Sequence, residues 1–330
     1  MTLRGQNVLV TGATGFLGGV ITRQLTAYGA KVKALARRPD RDAFIRDLPN
    51  VEIVTGDITD AASMQSVMQG VDIVIHSAAA LDGNIHDQRK INRDGTRNVM
   101  QAAADAGVKR VVHISTISVY GYGVSGDVTE QTPPAPGHDP YPITKLEAEQ
   151  VVQEIGSARD LPYTIIRPGM IYGSNSSMWT KTMFKIARRK PTIFIGDGSG
   201  SAFPIFVEDV ADMVIKLATH ENALGEIFNC TPDPSPTWRE FLGAYSQLAG
   251  HQSWLGVPPI LLMPIVYMIA LFSPKYSMMK DLPAMLGFLQ RRIHYRTDKA
   301  INILGWKPQY DLQRGIESCV PYLREKGLLS

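Results

Sequence analysis

Short apolar, β-branched runs alternate with segments of helical periodicity through the first half of the chain. The runs are bounded by Gly, Pro, Asn or Asp and lie at residues 7–10, 31–36, 51–54, 72–76, 110–115 and 162–166. The helical segments between them include 17–28, 61–68, 89–106 and 142–155. Nearly continuous apolar strands separated by helices are typical of a parallel sheet covered on both faces. Because such crossovers are right-handed, the sequence predicts an α/β fold with a doubly wound parallel sheet.

A glycine-rich turn joins the first predicted strand to the first predicted helix. Its spacing, G-x-x-G-x-x-G, permits a tight turn, a close approach of the backbone to a pyrophosphate, and an anion at the helix N-terminus. On the turn alone, the alternative of a glycine-rich turn without a ligand stays open. The candidate cofactor-binding residues of this segment are Gly12, Thr14, Gly15, Phe16, Leu17 and Gly18.

The end of the second predicted strand indicates which dinucleotide is bound. An NAD enzyme usually places a carboxylate there, on the ribose 2′-hydroxyl. This chain instead has Arg37 and Arg38, whose guanidinium groups suit a 2′-phosphate. The pattern favours NADP over NAD, and a solvated basic loop is the alternative. After the third strand, Asp57 and Ile58 are candidates for an acceptor and an apolar wall at the adenine, although Asp57 could equally cap the next helix.

A tyrosine and a lysine lie four residues apart at the start of a predicted helix, and therefore on one face of it. Beside Tyr141, the Lys145 ammonium is expected to stabilise phenolate and lower the pKa of the phenol, which suits a general acid and base. Thr116, at the end of the fifth strand, is the candidate for a second hydroxyl on a substrate carbonyl. Chance supplies many isolated Y-x-x-x-K patterns, so this one gains its weight from its position.

Six segments together resemble the extended short-chain dehydrogenase/reductases in order and spacing. They are TGATGFLG (11–18), HSAA (76–79), NRDGT (92–96), ISTISVYG (114–121), YPITK (141–145) and RPGMIYG (167–173). The resemblance implies a nicotinamide dinucleotide on a Rossmann fold, with Tyr141 as proton donor and acceptor, Lys145 on the nicotinamide ribose and Thr116 as hydroxyl partner. It also implies a homodimer. The further residues it assigns to the cofactor site are His76, Ala78, Ala79, Asn92 and Pro168.

Departures from the family patterns reduce the number of reactions that we expect this chain to catalyse. Sugar-nucleotide dehydratases resemble Thr-Asp-Glu before V-Y-G, whereas this chain has Ile117 and Ser118 and so lacks the acids for elimination. Many nucleotide-sugar epimerases carry an arginine where residues 201–203 here read Ser-Ala-Phe. A diphosphate substrate would lose a charge-assisted contact of roughly 1.5–3 kcal/mol. The basic run at 188–190 could compensate, although such a run is usually a solvated helix end.

Residues 257–272 contain no charged side chain. The segment resembles the hydrophobic C-terminal insertion of the 3β-hydroxysteroid dehydrogenase and dihydroflavonol reductase branch. It is too short, and too rich in proline, for a membrane-spanning helix. We expect a lid or wall for an apolar substrate, with contact to a membrane surface as an addition. The alternatives are a buried core helix or an oligomer contact.

These patterns predict an NADP-dependent oxidoreductase that interconverts a secondary alcohol and a ketone on a largely apolar molecule. A nucleotide-sugar epimerase with tightly bound NAD and a cofactor-binding scaffold without turnover are the alternatives. Residues 1–172 are expected to bind the cofactor. A smaller, mixed but mainly helical region at 173–330 is expected to bind the substrate, and the chain returns to the first region around 203–230.

Composition bears on partners and compartment. A net charge of +3 is too small to support a nucleic-acid partner. Cys230 and Cys319 lie far apart and fit no metal spacing, which predicts reduced thiols in a cytoplasmic protein and no bound metal. The first residues lead straight into the first strand and do not resemble a signal peptide.

Overall fold

A seven-stranded parallel sheet lies at the centre of the structure, a computed structural model that describes residues 2–38 and 44–329. Three two-stranded parallel sheets accompany it. The strands, in chain order, are β1 (Asn7–Thr11), β2 (Lys31–Ala36), β3 (Val51–Thr55), β4 (Ile73–His76), β5 (Arg110–Ile114), β6 (Gly126–Val128), β7 (Tyr163–Pro168), β8 (Met170–Tyr172), β9 (Thr192–Ile195), β10 (Pro204–Phe206), β11 (Ile227–Cys230), β12 (Trp254–Val257) and β13 (Ile293–Tyr295).

Helices connect the strands and cover both faces of the large sheet. They are α1 (Phe16–Ala27), α2 (Ala61–Val67), α3 (Ile85–Gln88), α4 (Gly95–Asp105), α5 (Pro140–Ala158), α6 (Met183–Ala187), α7 (Val207–Thr219), α8 (Trp238–Leu248), α9 (Pro259–Phe272), α10 (Leu282–Phe288), α11 (Asp298–Leu304), α12 (Leu312–Glu317) and α13 (Val320–Glu325). Short 3₁₀ helices include Ile117–Tyr120 and Met278–Asp281, and π-helical turns lie at Arg89–Asp94 and Ser177–Thr182.

The order of the large sheet, β11-β7-β5-β4-β1-β2-β3, confirms the predicted doubly wound α/β fold. The chain winds one way from β1 through β3 and the other way from β4 onward. The reversal leaves a crevice at the carboxyl ends of β1 and β4, where doubly wound proteins bind their ligands. Thr11 and His76, the last residues of these two strands, lie side by side in the sheet.

Two apolar layers hold the sheet between its helices. On one face α1, α7 and α11 pack over β1, with Ile21, Val214 and Trp306 buried. On the other face α2, α4 and α5 contribute fully buried residues such as Met64, Val99 and Val152. Burying each such aliphatic side chain stabilises the fold by about 1.5–3 kcal/mol.

Two predicted helices differ from the observed ones. The segment predicted as one helix at 89–106 begins with a π-helical turn, Arg89–Asp94, and only then becomes α4. The helical periodicity of residues 312–324 also predicts one continuous helix, whereas the structure has two, α12 and α13. Pro321 lies in the first turn of α13, where a proline is tolerated because that turn needs no N–H donor for an intrahelical bond.

The C-terminal half contributes to both the main sheet and a second core. Its strand β11 pairs with β7 at the sheet edge, and α7 packs against α1. The second core is mainly aromatic and includes Tyr172, Phe184, Phe241 and Tyr245. The division of the chain at residue 172 stays a prediction.

Candidate active site

At two of the three glycines in the glycine-rich turn, neighbouring backbone atoms leave no room for a side chain. Gly12 has φ +71°, and a Cβ there would lie 2.8 Å from the Ala78 amide nitrogen. A Cβ on Gly18 would overlap the Gly12 carbonyl oxygen. Gly15 is exposed at the N-cap of α1, and no side chain caps that helix. The free N–H groups of the first turn therefore meet the requirements of a phosphate site.

The two side chains that follow this turn face the protein interior. Leu17 is buried in the core, and the half-buried Phe16 packs against the same core. Thr14 is half-buried. The backbone of the turn, rather than these apolar side chains, is therefore the part suited to a dinucleotide.

A buried histidine ties the ends of β1 and β4 to α4. The Nδ1 of His76 lies 2.7 Å from the Thr11 hydroxyl, and its Nε2 lies 2.9 Å from the Thr96 hydroxyl. The amide of Ala78 donates to the same Thr11 hydroxyl at 3.2 Å. Burial, assisted by the charge of Lys145, lowers the pKa of His76 to about 3, so the ring is neutral. His76 therefore fixes the ends of β1 and β4 at the base of the crevice.

Asn92 fixes the loop after β4 to the helix that carries Tyr141. Its Oδ1 accepts from the Ala80 amide at 2.7 Å, and its Nδ2 donates to the Ala80 carbonyl and to the Thr144 hydroxyl, both at 2.9 Å. Asn92 is buried, whereas Ala79 beside this loop is exposed. The geometry makes Asn92 a positioning residue for the cofactor crevice.

Arg37 and Arg38 follow β2 directly and are both exposed. Asp57, after β3, accepts at one oxygen from the Thr59 amide (2.9 Å) and hydroxyl (3.0 Å). The cap of α2 is Asp60, so the alternative that Asp57 caps this helix is wrong. Ile58 is buried, close against Gly95.

Thr116, Tyr141 and Lys145 come together at the carboxyl end of β5. Thr116 caps the 3₁₀ helix Ile117–Tyr120, where its hydroxyl donates to the Ser118 hydroxyl at 3.2 Å, and it lies near enough to the Tyr141 side chain to affect the pKa of the phenol. Tyr141 lies in the first turn of α5, where the Asp139 side chain accepts from its amide at 3.1 Å. Lys145 follows one turn later and is buried. Pro168 is buried at the end of the neighbouring strand β7.

The Lys145 ammonium is held by the end of β5. Its Nζ donates to the Ile114 carbonyl at 2.6 Å and lies 3.4 Å from the His113 Nε2. Burial lowers the pKa of Lys145 to about 8, against the opposing effect of the Glu149 charge. Near pH 7 the side chain is charged, but it gives up its proton far more easily than an ordinary lysine.

The expected lowering of the Tyr141 pKa by Lys145 is wrong for this structure. Burial raises the pKa of Tyr141 to about 12; the neighbouring Thr116 hydroxyl opposes this effect, and the charge of Asp139 adds to it. The Lys145 ammonium reaches the Ile114 carbonyl instead of the phenol. Tyr141 is therefore a protonated phenol at neutral pH and suited to donate a proton.

Sequence reasoning missed three buried residues that support this site. Arg167 and Glu149 form a two-pronged ion pair, with Nε–Oε1 and Nη2–Oε2 distances of 2.9 and 2.6 Å. The pair joins β7 to α5, one turn beyond Lys145. His113 contacts Lys145 as described above. The signal for Glu149 was its i+4 spacing from Lys145, which puts both on one helix face.

The basic run at 188–190 and the uncharged segment at 257–272 lie in different surroundings. The helix α6 ends just before Arg188, and residues 188–190 are exposed, as the solvated helix end predicts. Residues 257–272 end β12 and form α9, in which no residue is buried. The alternative of a buried core helix is therefore wrong.

Several known proteins are similar to this chain in sequence or in fold. Residues 8–231 match the model of the NAD dependent epimerase/dehydratase family. Sterol demethylase protein B of Methylococcus capsulatus is 34% identical, covering 78% of this chain and 79% of that protein. The 3beta-hydroxysteroid-dehydrogenase/decarboxylase isoform 1 of Arabidopsis thaliana is 27% identical, over 94% of this chain and 78% of that protein. The structure of the epimerase Mth375 from Methanothermobacter thermautotrophicus superposes with a TM-score of 0.80 at 24% identity, over 98% of this chain and 94% of that one.

Proposed function

Because the chain belongs to the NAD dependent epimerase/dehydratase family, whose members are enzymes of the extended short-chain type, we propose that it interconverts a secondary alcohol and a ketone on a largely apolar molecule. The observation that carries this proposal is that Thr116, at the carboxyl end of β5, and Tyr141, at the start of α5, lie side by side, with buried Lys145 one turn along the same helix. Two hydroxyls side by side can hold one carbonyl oxygen, and a phenol with a pKa of about 12 can protonate it.

The residues of the crevice fit a nicotinamide dinucleotide. Gly12 and Gly18 leave no room for a side chain, and no side chain caps the start of α1. The backbone there forms a cradle for a phosphate group, and a side chain at either glycine would fill it. When bound, the cofactor supplies or accepts the hydride. In the reduction direction, Thr116 and Tyr141 orient the ketone oxygen, and Tyr141 donates its proton to that oxygen. Lys145 is the residue that would hold the nicotinamide ribose.

Aromatic side chains near this site support an apolar substrate. Phe288 of α10 contacts Tyr122 and Phe203, with ring centroids 5.5 and 5.9 Å apart. Phe203 belongs to the segment where many epimerases carry an arginine, and here that segment lies in an apolar cluster with Val119. The names of the sterol demethylase protein and the hydroxysteroid dehydrogenase relatives agree with a sterol-like ligand.

Replacement of Tyr141 by phenylalanine tests the reaction. Loss of the proton donor should reduce kcat by about 10²–10⁴-fold, measured as NADPH oxidation with a panel of 3-ketosteroids and alkyl ketones. The matched control is Tyr163→Phe, which removes a hydroxyl from a half-buried tyrosine on β7. A Tyr141→Phe variant that keeps most of its turnover would sink the mechanism. Stoichiometric bound NAD together with thermal stabilisation by UDP would instead favour a nucleotide-sugar epimerase.

We propose NADP as the preferred cofactor because Arg37 and Arg38 are exposed at the end of β2. Arg37→Ala should weaken NADPH binding by about 10–100-fold, which corresponds to one charge-assisted contact, and leave NADH binding nearly unchanged. Arg159→Ala is the matched control, because this exposed arginine pairs with Asp105 near the far end of α5. Equal losses for both cofactors would contradict the preference.

The family resemblance also supports a homodimer, which sedimentation equilibrium tests directly. Cys230 and Cys319 are both free and buried. Burial raises the pKa of the Cys319 thiol to about 12, so the thiol resists oxidation. Two reduced thiols support a cytoplasmic location, which fractionation of cells that express the chain at native level tests.

A further inference from the structure

The helix α9 is apolar on all sides and has no buried residue. Ile260, Leu271 and Phe272 are 73%, 68% and 78% exposed. At 100° per residue, the exposed apolar positions of α9 cover more than half of its circumference. A water-facing helix of a globular protein normally shows a polar face, as α7 does with Glu208, Asp212 and Lys216. A helix that is apolar all round belongs in an apolar medium.

The exposed apolar surface extends beyond α9 on both sides in the chain. Trp254 and Leu255 of β12 precede it and are 46% and 54% exposed. Tyr276, Met278 and Met279 follow it and are also exposed. Monomers rarely expose contiguous apolar patches above a few hundred Å², so a partner must cover this surface.

The width of the exposed apolar surface on α9 distinguishes a lipid partner from a protein partner. A groove on another protein, or a second copy of this chain, takes one stripe of a helix, whereas here more than half of the circumference is apolar and free. Within residues 2–38 and 44–329, no helix is long and apolar enough to cross a bilayer. A helix of 14 residues is about 21 Å long, which suits a position in the plane of the boundary between headgroups and acyl chains.

The charges at the edge of this surface are complementary to anionic headgroups. No charged residue occurs from 252 to 274, and the first two that follow are Lys275 and Lys280. The next one, Asp281, is buried against His138, so its charge is directed into the protein. Tyrosine and tryptophan, which prefer the headgroup level, are present as Trp254, Tyr267 and Tyr276.

We propose that α9, with Trp254 and Leu255, seats the protein on an anionic lipid surface. The 3₁₀ helix Met278–Asp281, which packs against α9, is fastened to the start of α5. Asp281 accepts from the His138 amide and ring, both at 2.8 Å, and from the Asp139 amide at 3.2 Å, and Asp139 caps the helix that carries Tyr141. If the substrate is apolar, as proposed above, a protein seated on lipid meets it in the phase into which it partitions.

Flotation with vesicles tests the proposal. The full chain should float with vesicles of phosphatidylcholine and phosphatidylglycerol. The triple variant Leu261→Glu, Met268→Glu and Leu271→Glu should bind at least about tenfold more weakly, because three exposed apolar contacts with the acyl region are lost. Tyr28→Glu, at an equally exposed apolar residue after α1, is the matched control and should float like the parent. Lys275→Glu with Lys280→Glu should reduce binding to the anionic vesicles and leave the weaker binding to pure phosphatidylcholine unchanged.

Each outcome bears on the proposal. Failure of the parent to float overturns it. A parent that self-associates without lipid and fails to float, with self-association lost in the triple variant, also overturns it and assigns the surface to a second copy. Flotation without any ketone turnover would refute the proposed reaction and leave the lipid contact standing.

Discussion

Replacing Lys145 by methionine should abolish the proposed turnover and remove the free-energy cost of burying the ammonium charge near neutral pH. Lys145 is 2% exposed, and burial lowers its pKa from 10.5 to about 8. At about 1.4 kcal/mol per pH unit, holding this charge in the folded protein costs roughly 3 kcal/mol near pH 7. The Met variant avoids that cost but leaves the Ile114 carbonyl without its donor, a loss of about 1–3 kcal/mol. The net change is roughly 0–2 kcal/mol in favour of the variant.

The pH dependence of the stability difference distinguishes the effect of the Lys145 charge from the effect of the lost hydrogen bond. Between the folded pKa near 8 and the unfolded value near 10.5, the unfolded chain binds more protons than the folded chain. Wild-type stability therefore rises with pH across this window relative to the variant, which has no group to titrate there. The advantage of the variant should shrink by about 1.4 kcal/mol between pH 7 and pH 9.

Urea unfolding followed by circular dichroism at both pH values measures this change. Lys185→Met, at an exposed lysine of α6, is the control and should show a difference from wild type that is the same at the two pH values. A Lys145→Met difference that stays constant from pH 7 to pH 9 would refute the depressed pKa and the reasoning built on burial.

Two further substitutions probe the supports of the site. Glu149→Gln leaves the Arg167 guanidinium buried without its carboxylate and should lower the free energy of unfolding by about 3–5 kcal/mol in urea melts. Glu154→Gln, in an exposed pair with Arg97 on the same helix, should cost less than about 1 kcal/mol; equal losses would contradict the importance of burial. Gly18→Ala should weaken NADPH binding at least about tenfold in a fluorescence titration, because its Cβ overlaps the Gly12 carbonyl oxygen and shifts the turn. Gly243→Ala, where a Cβ meets nothing within 4 Å, should leave NADPH affinity unchanged; an unchanged affinity for Gly18→Ala as well would disprove the cradle.

The central sheet was predictable because its strands are locally encoded. The run predicted at 31–36 is β2 without any change, and the run at 110–115 differs from β5 by one residue. Both are bounded by residues that end strands, and both are apolar enough to be recognised alone. The pairing of the three-residue strands β6 and β13 was not predictable in this way. They pair with each other across more than 160 residues of chain, and no local pattern records such a partner.

In the candidate site, too, local features were predictable and contacts between distant parts of the chain were not. Spacing placed Tyr141 and Lys145 on one helix face, but it could not reveal that the ammonium reaches the Ile114 carbonyl. The wrong expectation about the Tyr141 pKa follows from that gap, because the partner comes from a strand 31 residues earlier. The contact of Asp281 with His138 spans 143 residues and left no signal in the sequence.

The late arrival of β11 and α7 affects how this protein folds during synthesis. The strands from β1 to β7 are complete at Pro168, yet α7, which covers one face of them together with α1 and α11, begins at Val207, and the edge strand β11 ends at Cys230. At about 5–20 residues per second, a ribosome needs roughly 3–12 s to add that stretch. During that interval the nascent chain exposes Val10, Ile75 and Val112, which α7 later helps to bury. The demand for chaperone protection is therefore set by the position of one helix in the chain.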